Sequence, residues 1–140
     1  MNTIIVVGVD SSPQALVAAR KAADIAKALG ADLHIVTAVM KNEFYEFGIG
    51  SDRSVTSDLD LAEQDLQAIA SEFRGAITVS TTAVKSSPAE ALCSEAERLH
   101  ASMIVVGNKR VQGVARVLGS VANAVARDAP CDVYIVHTYD

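Results

Sequence analysis

Short runs of apolar residues alternate along the chain with longer segments in which apolar residues recur every three or four positions. The runs fall at residues 4–9, 33–39, 77–84, 102–106 and 133–137. Most of them are apolar throughout, as is typical of strands buried on both faces, whereas the longer segments have helical spacing. The pattern therefore predicts five strands with helices between them.

Local signals mark where the helices begin and end. Ser12 and Pro13 supply an N-cap and a proline at the first helical position, and Gly30 supplies the stop. The other three helices are predicted over residues 57–74, from the capping box at 87–90 onward, and from 119–120 to the residue before Pro130.

Strands that alternate with helices in this order predict a parallel sheet with right-handed crossovers. We expect one α/β domain over residues 1–140, a Rossmann-like, doubly wound sheet of five parallel strands with helices on both faces in three layers. The run at 77–84 alternates Thr78, Ser80 and Thr82 with apolar residues, which favours an edge position. Ligands bind such sheets at the carboxyl ends of the strands, where the strand order reverses. The first and fourth strands are expected to flank that point.

Residues 40–56 have no periodicity and form a longer connection than is usual in compact domains. They contain Phe44, Tyr45 and Phe47, half of the six aromatic residues of the chain. Two interpretations stay open: a surface loop, or a lid or partner contact.

Composition narrows the function classes. Half of the residues are hydrophobic, and the net charge of −5 argues against a general nucleic-acid binder. No apolar run reaches the ~20 residues of a membrane span, and no secretion signal is visible at Met1. Cys93 and Cys131 form no CxxC pair, and His34, His100 and His137 are scattered. A reduced, cytoplasmic protein without nucleic-acid or membrane partners is expected, with no metal site or catalytic residue.

Positive charge is concentrated between residues 98 and 127, where five basic residues occur without any Asp or Glu. Gly107, Gly113 and Gly119 lie within this stretch, and glycine lets backbone N–H groups approach an oxyanion. Gly119 and Ser120 also open a predicted helix, whose unpaired N–H groups attract anions. The stretch predicts a phosphate site, although a simple helix N-cap is the alternative. It is neither a Walker A loop nor GxGxxG.

Three stretches resemble the universal stress protein family. Residues 105–122 are similar to its nucleotide loop, G-x2-G-x9-G-S/T, residues 6–12 to its first strand and turn, and residues 129–136 to its last strand. The resemblance covers the whole chain. It implies a stress-response or regulatory protein that binds ATP, cyclic AMP or another adenine nucleotide, with Mg²⁺ accompanying ATP. Arg110 departs from the pattern, because it replaces the second glycine and lies one residue too close to Gly119.

The resemblance also implies a binding site. Asp10 would hold the ribose or a metal-linked group, unless it is a turn residue. Ala38 and Val39 would contact adenine through backbone groups, unless they are ordinary core. The full predicted set is Gly8, Val9, Asp10, Ala38, Val39, Gly107, Asn108, Lys109, Arg110, Gly113, Arg116, Gly119, Ser120 and Val121.

Other functions compete with nucleotide sensing as interpretations of these residues. A weak ATPase lacks acids to hold a metal, since Asp10 is the one acid placed near the phosphate loop. A receiver domain needs an Asp where the third strand ends in Val84 and Lys85. An interaction module with a decayed loop stays open because of Arg110. The family resemblance also implies a homodimer that pairs through the last strand, residues 133–137.

Overall fold

The computed structural model describes residues 2–110 and 118–139. Its elements alternate between strands and helices as the hydrophobic pattern predicts. In chain order they are β1 (Ile4–Gly8), α1 (Pro13–Leu29), β2 (Asp32–Ala38), β3 (Phe44–Phe47), β4 (Ser54–Ser57), α2 (Asp58–Ser71), β5 (Val79–Val84), α3 (Pro88–Arg98), β6 (Met103–Arg110), α4 (Ser120–Asp128) and β7 (Asp132–Tyr139).

Five strands form a parallel sheet in the order β5-β2-β1-β6-β7. The chain winds outward from β1 through β2 to β5, then returns to β6 on the other side of β1 and continues to β7. The predicted edge position of β5 and the predicted reversal between the first strand and the strand at 102–106 are both confirmed. The carboxyl ends of β1 and β6 therefore part at the point where a doubly wound sheet binds its ligands.

Two apolar clusters place the helices on opposite faces of the sheet, so the predicted three-layer fold is confirmed. Residues of α1 and α2 pack with Ile5 and Val7 on one face, and residues of α3 and α4 pack with Val6 and Ile104 on the other. The face of α1 toward the sheet is made of alanines, which let the helix approach the strands closely. The buried alanines are Ala15, Ala18, Ala19, Ala22, Ala23 and Ala26.

The connection at 40–56 is more regular than its sequence suggests. Strands β3 and β4 pair antiparallel, with Phe44 opposite Ser57 and Phe47 opposite Ser54. Gly48, with φ of 96°, lies at the turn, where an added Cβ would meet a backbone oxygen at 2.2 Å. Its aromatic side chains stay exposed on both faces of the hairpin, so no alternation of buried and exposed residues marks it in the sequence.

The outer edge of β5 is covered by a side chain of α2. The Glu63 carboxylate accepts a hydrogen bond from the backbone N–H of Ala83 at 3.1 Å and another from the Thr81 hydroxyl. Such an acceptor occupies edge amides that would otherwise recruit a further strand. Within the described ranges, no helix has the length and apolar character needed to cross a membrane.

Candidate functional site

A cavity of about 290 Å³ opens at the carboxyl ends of β1, β2 and β6, between α1 and α3. It lies where the sequence predicts ligand binding. Its lining consists of Gly8, Val9, Asp10, Ser12, Gln14, Ala15, Ala18, Val36, Thr37, Ala38, Pro88, Ala91, Leu92, Val106, Gly107, Val121 and Thr138.

The end of β1 contributes a glycine and a carboxylate. A Cβ added at Gly8 would lie 3.0 Å from the Leu92 side chain, so the missing side chain lets α3 pack against the strand end. Asp10 lines the cavity, and its Oδ1 accepts hydrogen bonds from the Ser12 amide at 2.8 Å and from the Ser12 hydroxyl. One carboxylate oxygen thus holds the turn into α1. The other oxygen makes no hydrogen bond with the described residues, so a turn role and a ligand role are compatible.

The end of β2 presents main-chain groups to the cavity. In a parallel strand, successive residues direct their N–H and C=O groups to opposite sides, and Val39 donates to the Val84 carbonyl of β5 at 2.8 Å. Ala38 therefore faces the side of β1, which has already ended. The Val9 carbonyl, which follows the end of β1, accepts from the Thr37 hydroxyl at 2.8 Å. Ala38 is left with main-chain groups facing the cavity, while the N–H of Val39 is committed to the sheet.

The segment that begins at Gly107 starts as a strand. Gly107 lines the cavity, and β6 continues through Lys109 and Arg110, which pair with Thr138 and Tyr139 of β7. The sequence predicts a loop here, because polar and basic side chains end the apolar run, and the strand pairing through Arg110 corrects this prediction. The predicted residues Gly113 and Arg116 lie outside the described residues.

The predicted phosphate cradle is partly engaged by the protein itself. Asn108 is buried, and its Oδ1 accepts a hydrogen bond from the Gly119 amide at 2.7 Å. Gly119 is the N-cap of α4, and a Cβ there would lie 3.3 Å from the same oxygen. The amides that follow, at the exposed Ser120 and at Val121, have no acceptor within their own helix, as in any first turn. Of these residues, Val121 lines the cavity.

The cavity is almost uncharged in its described lining. Asp10 is the one ionisable side chain there. Among residues 2–110 and 118–139, no group of three or more His, Cys, Asp or Glu side chains could hold a metal ion. The arrangement suits a ligand bound by main-chain hydrogen bonds and apolar contact, with a single carboxylate to orient a polar group.

Sequence reasoning missed several lining residues. Thr37 lies inside a predicted strand, Thr138 lies one residue beyond the predicted last strand, and Ala15 and Ala18 fit the buried stripe of a helix. A small-residue stripe that packs on a strand end is indistinguishable in sequence from one that packs on the strand centre. Only the alanine content of α1 hints at a close approach to the sheet.

Comparison with known proteins places the chain in a family. The model of the universal stress protein family matches residues 1–137. The chain belongs to the universal stress protein family. It is 30% identical over 139 residues to a universal stress protein of Staphylococcus haemolyticus, covering 96% of this chain and 84% of that one. A universal stress protein of Mycobacterium tuberculosis is 32% identical over 151 aligned positions, covering 96% and 95%.

Solved structures of the family share the fold. A universal stress protein in complex with cAMP is 29% identical, with a TM-score of 0.72 and coverage of 97% of both chains. A universal stress protein from Archaeoglobus fulgidus is 25% identical, with a TM-score of 0.71 and coverage of 96% of this chain and 93% of that chain. These matches agree with the three-layer architecture of the described residues.

Proposed function

We propose that this chain binds an adenine nucleotide in the cavity at the ends of β1, β2 and β6, and that the bound ligand changes its conformation or its choice of partner. The observation that carries the proposal is the open main chain of Ala38, which faces the cavity beside Asp10 and Gly107. The related universal stress protein that was solved with cAMP supports the same ligand class.

The adenosine part of the ligand fits the described lining. Adenine presents a donor and an acceptor on one edge, which matches the N–H and C=O groups of Ala38. Val39 contributes through its side chain or carbonyl, because its N–H bonds to β5. Apolar side chains such as Leu92 and Val106 cover the base, and the free oxygen of Asp10 accepts from a ribose hydroxyl. The main chain of Gly8 and Val9 lies beside the ribose in this proposal.

The phosphate part is assigned to the first turn of α4. The amides of Ser120 and Val121 point out of the helix, where the positive end of its dipole favours an anion. The amide of Gly119 joins them when the Asn108 side chain releases it, which couples ligand binding to movement of a buried residue. The basic residues Lys109, Arg110 and Arg116, together with Gly113, complete the phosphate end in this proposal.

In this proposal Mg²⁺ would bind together with ATP. Since Asp10 is the one carboxylate in the described lining, Mg²⁺ would be held by the phosphates of ATP and by water, as is common for this ion. Weak ATP hydrolysis is the most that this set of residues supports.

The test is ligand-dependent stability combined with a charge variant. Saturation to about 100 times Kd stabilises a protein by roughly 2.7 kcal/mol, so cyclic AMP, AMP or ATP should raise the Tm by several degrees. Asp10→Asn keeps a side chain that can hold the Ser12 turn but removes the charge. We expect it to weaken binding roughly tenfold, as measured by calorimetry, because a hydrogen bond to a charged acceptor is worth roughly 1.5–3 kcal/mol.

The matched control is Asp24→Asn, which removes an exposed carboxylate from the outer face of α1. It should leave the Kd unchanged. If none of the three nucleotides changes the melting curve, the fold serves as an interaction module without this ligand. Steady phosphate release that disappears in the Asp10 variant would instead indicate an ATPase.

The sheet geometry also supports the proposed homodimer, which we expect to be located in the cytoplasm. β7 lies at the edge opposite β5, and its Tyr134 is 41% exposed. Within the described part of the chain, no side chain covers β7 as Glu63 covers β5. Pairing of two copies through β7 predicts a dimer in sedimentation at micromolar concentration, and a monomer would contradict it.

A further inference from the structure

A chain of buried polar side chains crosses the opposite end of α3 from the cavity. The His34 Nδ1 lies 2.7 Å from the Ser80 hydroxyl, and its Nε2 lies 2.9 Å from Oε1 of Glu95. Arg98 donates two hydrogen bonds, of 2.8 and 2.9 Å, to the same carboxylate. We call these four residues the His34 cluster. None of them lines the nucleotide cavity.

The residues of the His34 cluster differ in their exposure to solvent. His34 and Glu95 are 3% and 7% exposed, whereas Ser80 is an exposed residue of the edge strand β5. The imidazole and the carboxylate are therefore shielded from water, while the hydroxyl is accessible to a reagent. A buried base behind an accessible hydroxyl is the arrangement of an activated nucleophile.

The protonation pattern follows from the carboxylate. The hydrogen bonds from Arg98, and then the bond from His34, lower the pKa of Glu95 to about 2 against the cost of its burial. Glu95 is thus an acceptor only, so the Nε2 of His34 carries a proton and donates it. In neutral His34 the Nδ1 is then unprotonated and accepts from the Ser80 hydroxyl. The order is hydroxyl, base and orienting carboxylate, with the ring nitrogens used in the reverse sense to serine proteases.

We propose that Ser80 is an acyl-acceptor site, which takes a short acyl group from an activated ester with His34 as its base. The site is independent of the nucleotide cavity. Its evidence is the alignment of an exposed hydroxyl, a buried imidazole and a clamped carboxylate contributed by β5, β2 and α3.

The reaction balances without any further reagent. The Ser80 Oγ attacks the ester carbonyl carbon while its proton passes to Nδ1 of His34, and a tetrahedral intermediate forms. The bond from that carbon to the leaving oxygen then breaks, and the leaving group takes the proton from Nδ1. The products are O-acyl Ser80 and the free alcohol or phenol. Glu95 keeps the ring oriented and balances its transient charge.

The surroundings limit the donors that can react. Glu63 occupies the outer edge of the same strand, where it bonds to the Ala83 amide and the Thr81 hydroxyl. The edge amide of Ala83 is therefore not available as an oxyanion donor, so the strand gives the tetrahedral intermediate little stabilisation. Donors with good leaving groups, such as aryl esters, are expected to acylate Ser80. Hydrolysis of the resulting unactivated serine ester is expected to be slow.

The test uses the full chain and p-nitrophenyl acetate. We expect a burst of one p-nitrophenolate per chain, one acetyl group in the intact mass, and peptide mapping of that group to Ser80. Ser80→Ala should abolish the burst, whereas the control Ser71→Ala, at an exposed serine bonded to a backbone carbonyl, should retain it. Acetylation of other residues without Ser80 would overturn the proposal.

A second variant distinguishes activation of the Ser80 hydroxyl by His34 from simple exposure of that hydroxyl. His34→Asn should slow the burst at least tenfold, because general-base help is worth roughly 10²–10⁴-fold, while one acetyl group per chain still accumulates at Ser80. Ser80→Cys should restore acylation at the same position through a thiolate. Circular dichroism checks that each variant is folded. Equal burst rates in the parent and in folded His34→Asn would show an unassisted surface serine and would also overturn the proposal.

Discussion

The proposed nucleotide cavity and the His34 cluster lie at two ends of α3 and are built from different kinds of groups. The cavity is formed by glycines, alanines and main-chain groups, with Asp10 as its one charge in the described lining. The cluster is formed by long polar side chains from three separate elements that are bonded in series. One region leaves hydrogen-bonding groups open, and the other satisfies all of its own. The first is suited to receive a ligand, whereas the second fixes β5, β2 and α3 together.

The difference predicts which region supports the fold. The polar groups of the cavity still reach water when one lining contact is removed, so the fold loses little stability. In the His34 cluster, removal of one partner leaves another buried without a hydrogen bond. Mutations in the cluster should therefore act on stability, and mutations in the cavity should act on binding.

The largest expected effect is that of Glu95→Ala. It leaves the Nε2–H of buried His34 and the Arg98 guanidinium without their acceptor. A buried donor left without an acceptor costs roughly 1–3 kcal/mol, and the lost hydrogen bonds from the charged, exposed Arg98 add to this cost, so the free energy of unfolding in urea should fall by roughly 3–4 kcal/mol. The Kd for nucleotide should change less than about twofold when the variant is folded. The control Glu97→Gln, on the exposed side of the same helix, should leave both quantities unchanged. A free energy of unfolding of Glu95→Ala equal to that of the parent would contradict this distinction between the two regions.

Acid provides the next test of the cluster. The pKa of Glu95 falls from its ordinary value of 4.5 to about 2 on folding. A lowered pKa in the folded state stabilises the protein above about pH 4.5, and this stabilisation is lost as the pH falls through about 2. Roughly 3 kcal/mol of the free energy of unfolding should disappear across that window. Urea titrations at each pH should show a flatter acid limb for Glu95→Gln, and an identical limb would assign the acid sensitivity to other carboxylates.

The smallest expected effect belongs to the cavity. Thr37→Val removes the hydroxyl that bonds to the Val9 carbonyl at 2.8 Å. The N–H of Ala38 can then donate to that carbonyl. It is no longer available for the hydrogen bond to adenine that we propose. Stability should change little, while nucleotide binding should weaken roughly two- to tenfold, the value of one hydrogen bond of about 0.5–1.5 kcal/mol. A calorimetric Kd equal to that of the parent would place the base elsewhere.

The fold was largely predictable because it rests on local signals. The proline and serine at 12–13 and the glycine at 30 bound α1 as expected, and the polar alternation at Thr78, Ser80 and Thr82 placed β5 at the edge. The hairpin at 44–57 was missed because both of its faces are exposed and no alternation results. Strand β6 runs to Arg110, beyond its apolar portion, because pairing with β7 continues through Lys109 and Arg110.

The two sites differ in the same respect. Glycines and a helix start mark the proposed nucleotide site along the chain, since phosphate-binding loops are contiguous. The partners of the His34 cluster are separated by 46 and 61 positions, so nothing local marks them, and His34 reads as an isolated histidine. The role of Thr37 is equally hidden, because it depends on where the neighbouring strand stops.

The carboxylate of Glu63 has a consequence for how far the protein can assemble. Its hold on β5 seals one border of the sheet, while β7 borders the other side. Two copies that join along β7 would expose only their β5 edges, where Glu63 occupies the Ala83 amide, so addition of further copies is disfavoured. One half-buried glutamate thus favours a finite assembly over an open-ended one.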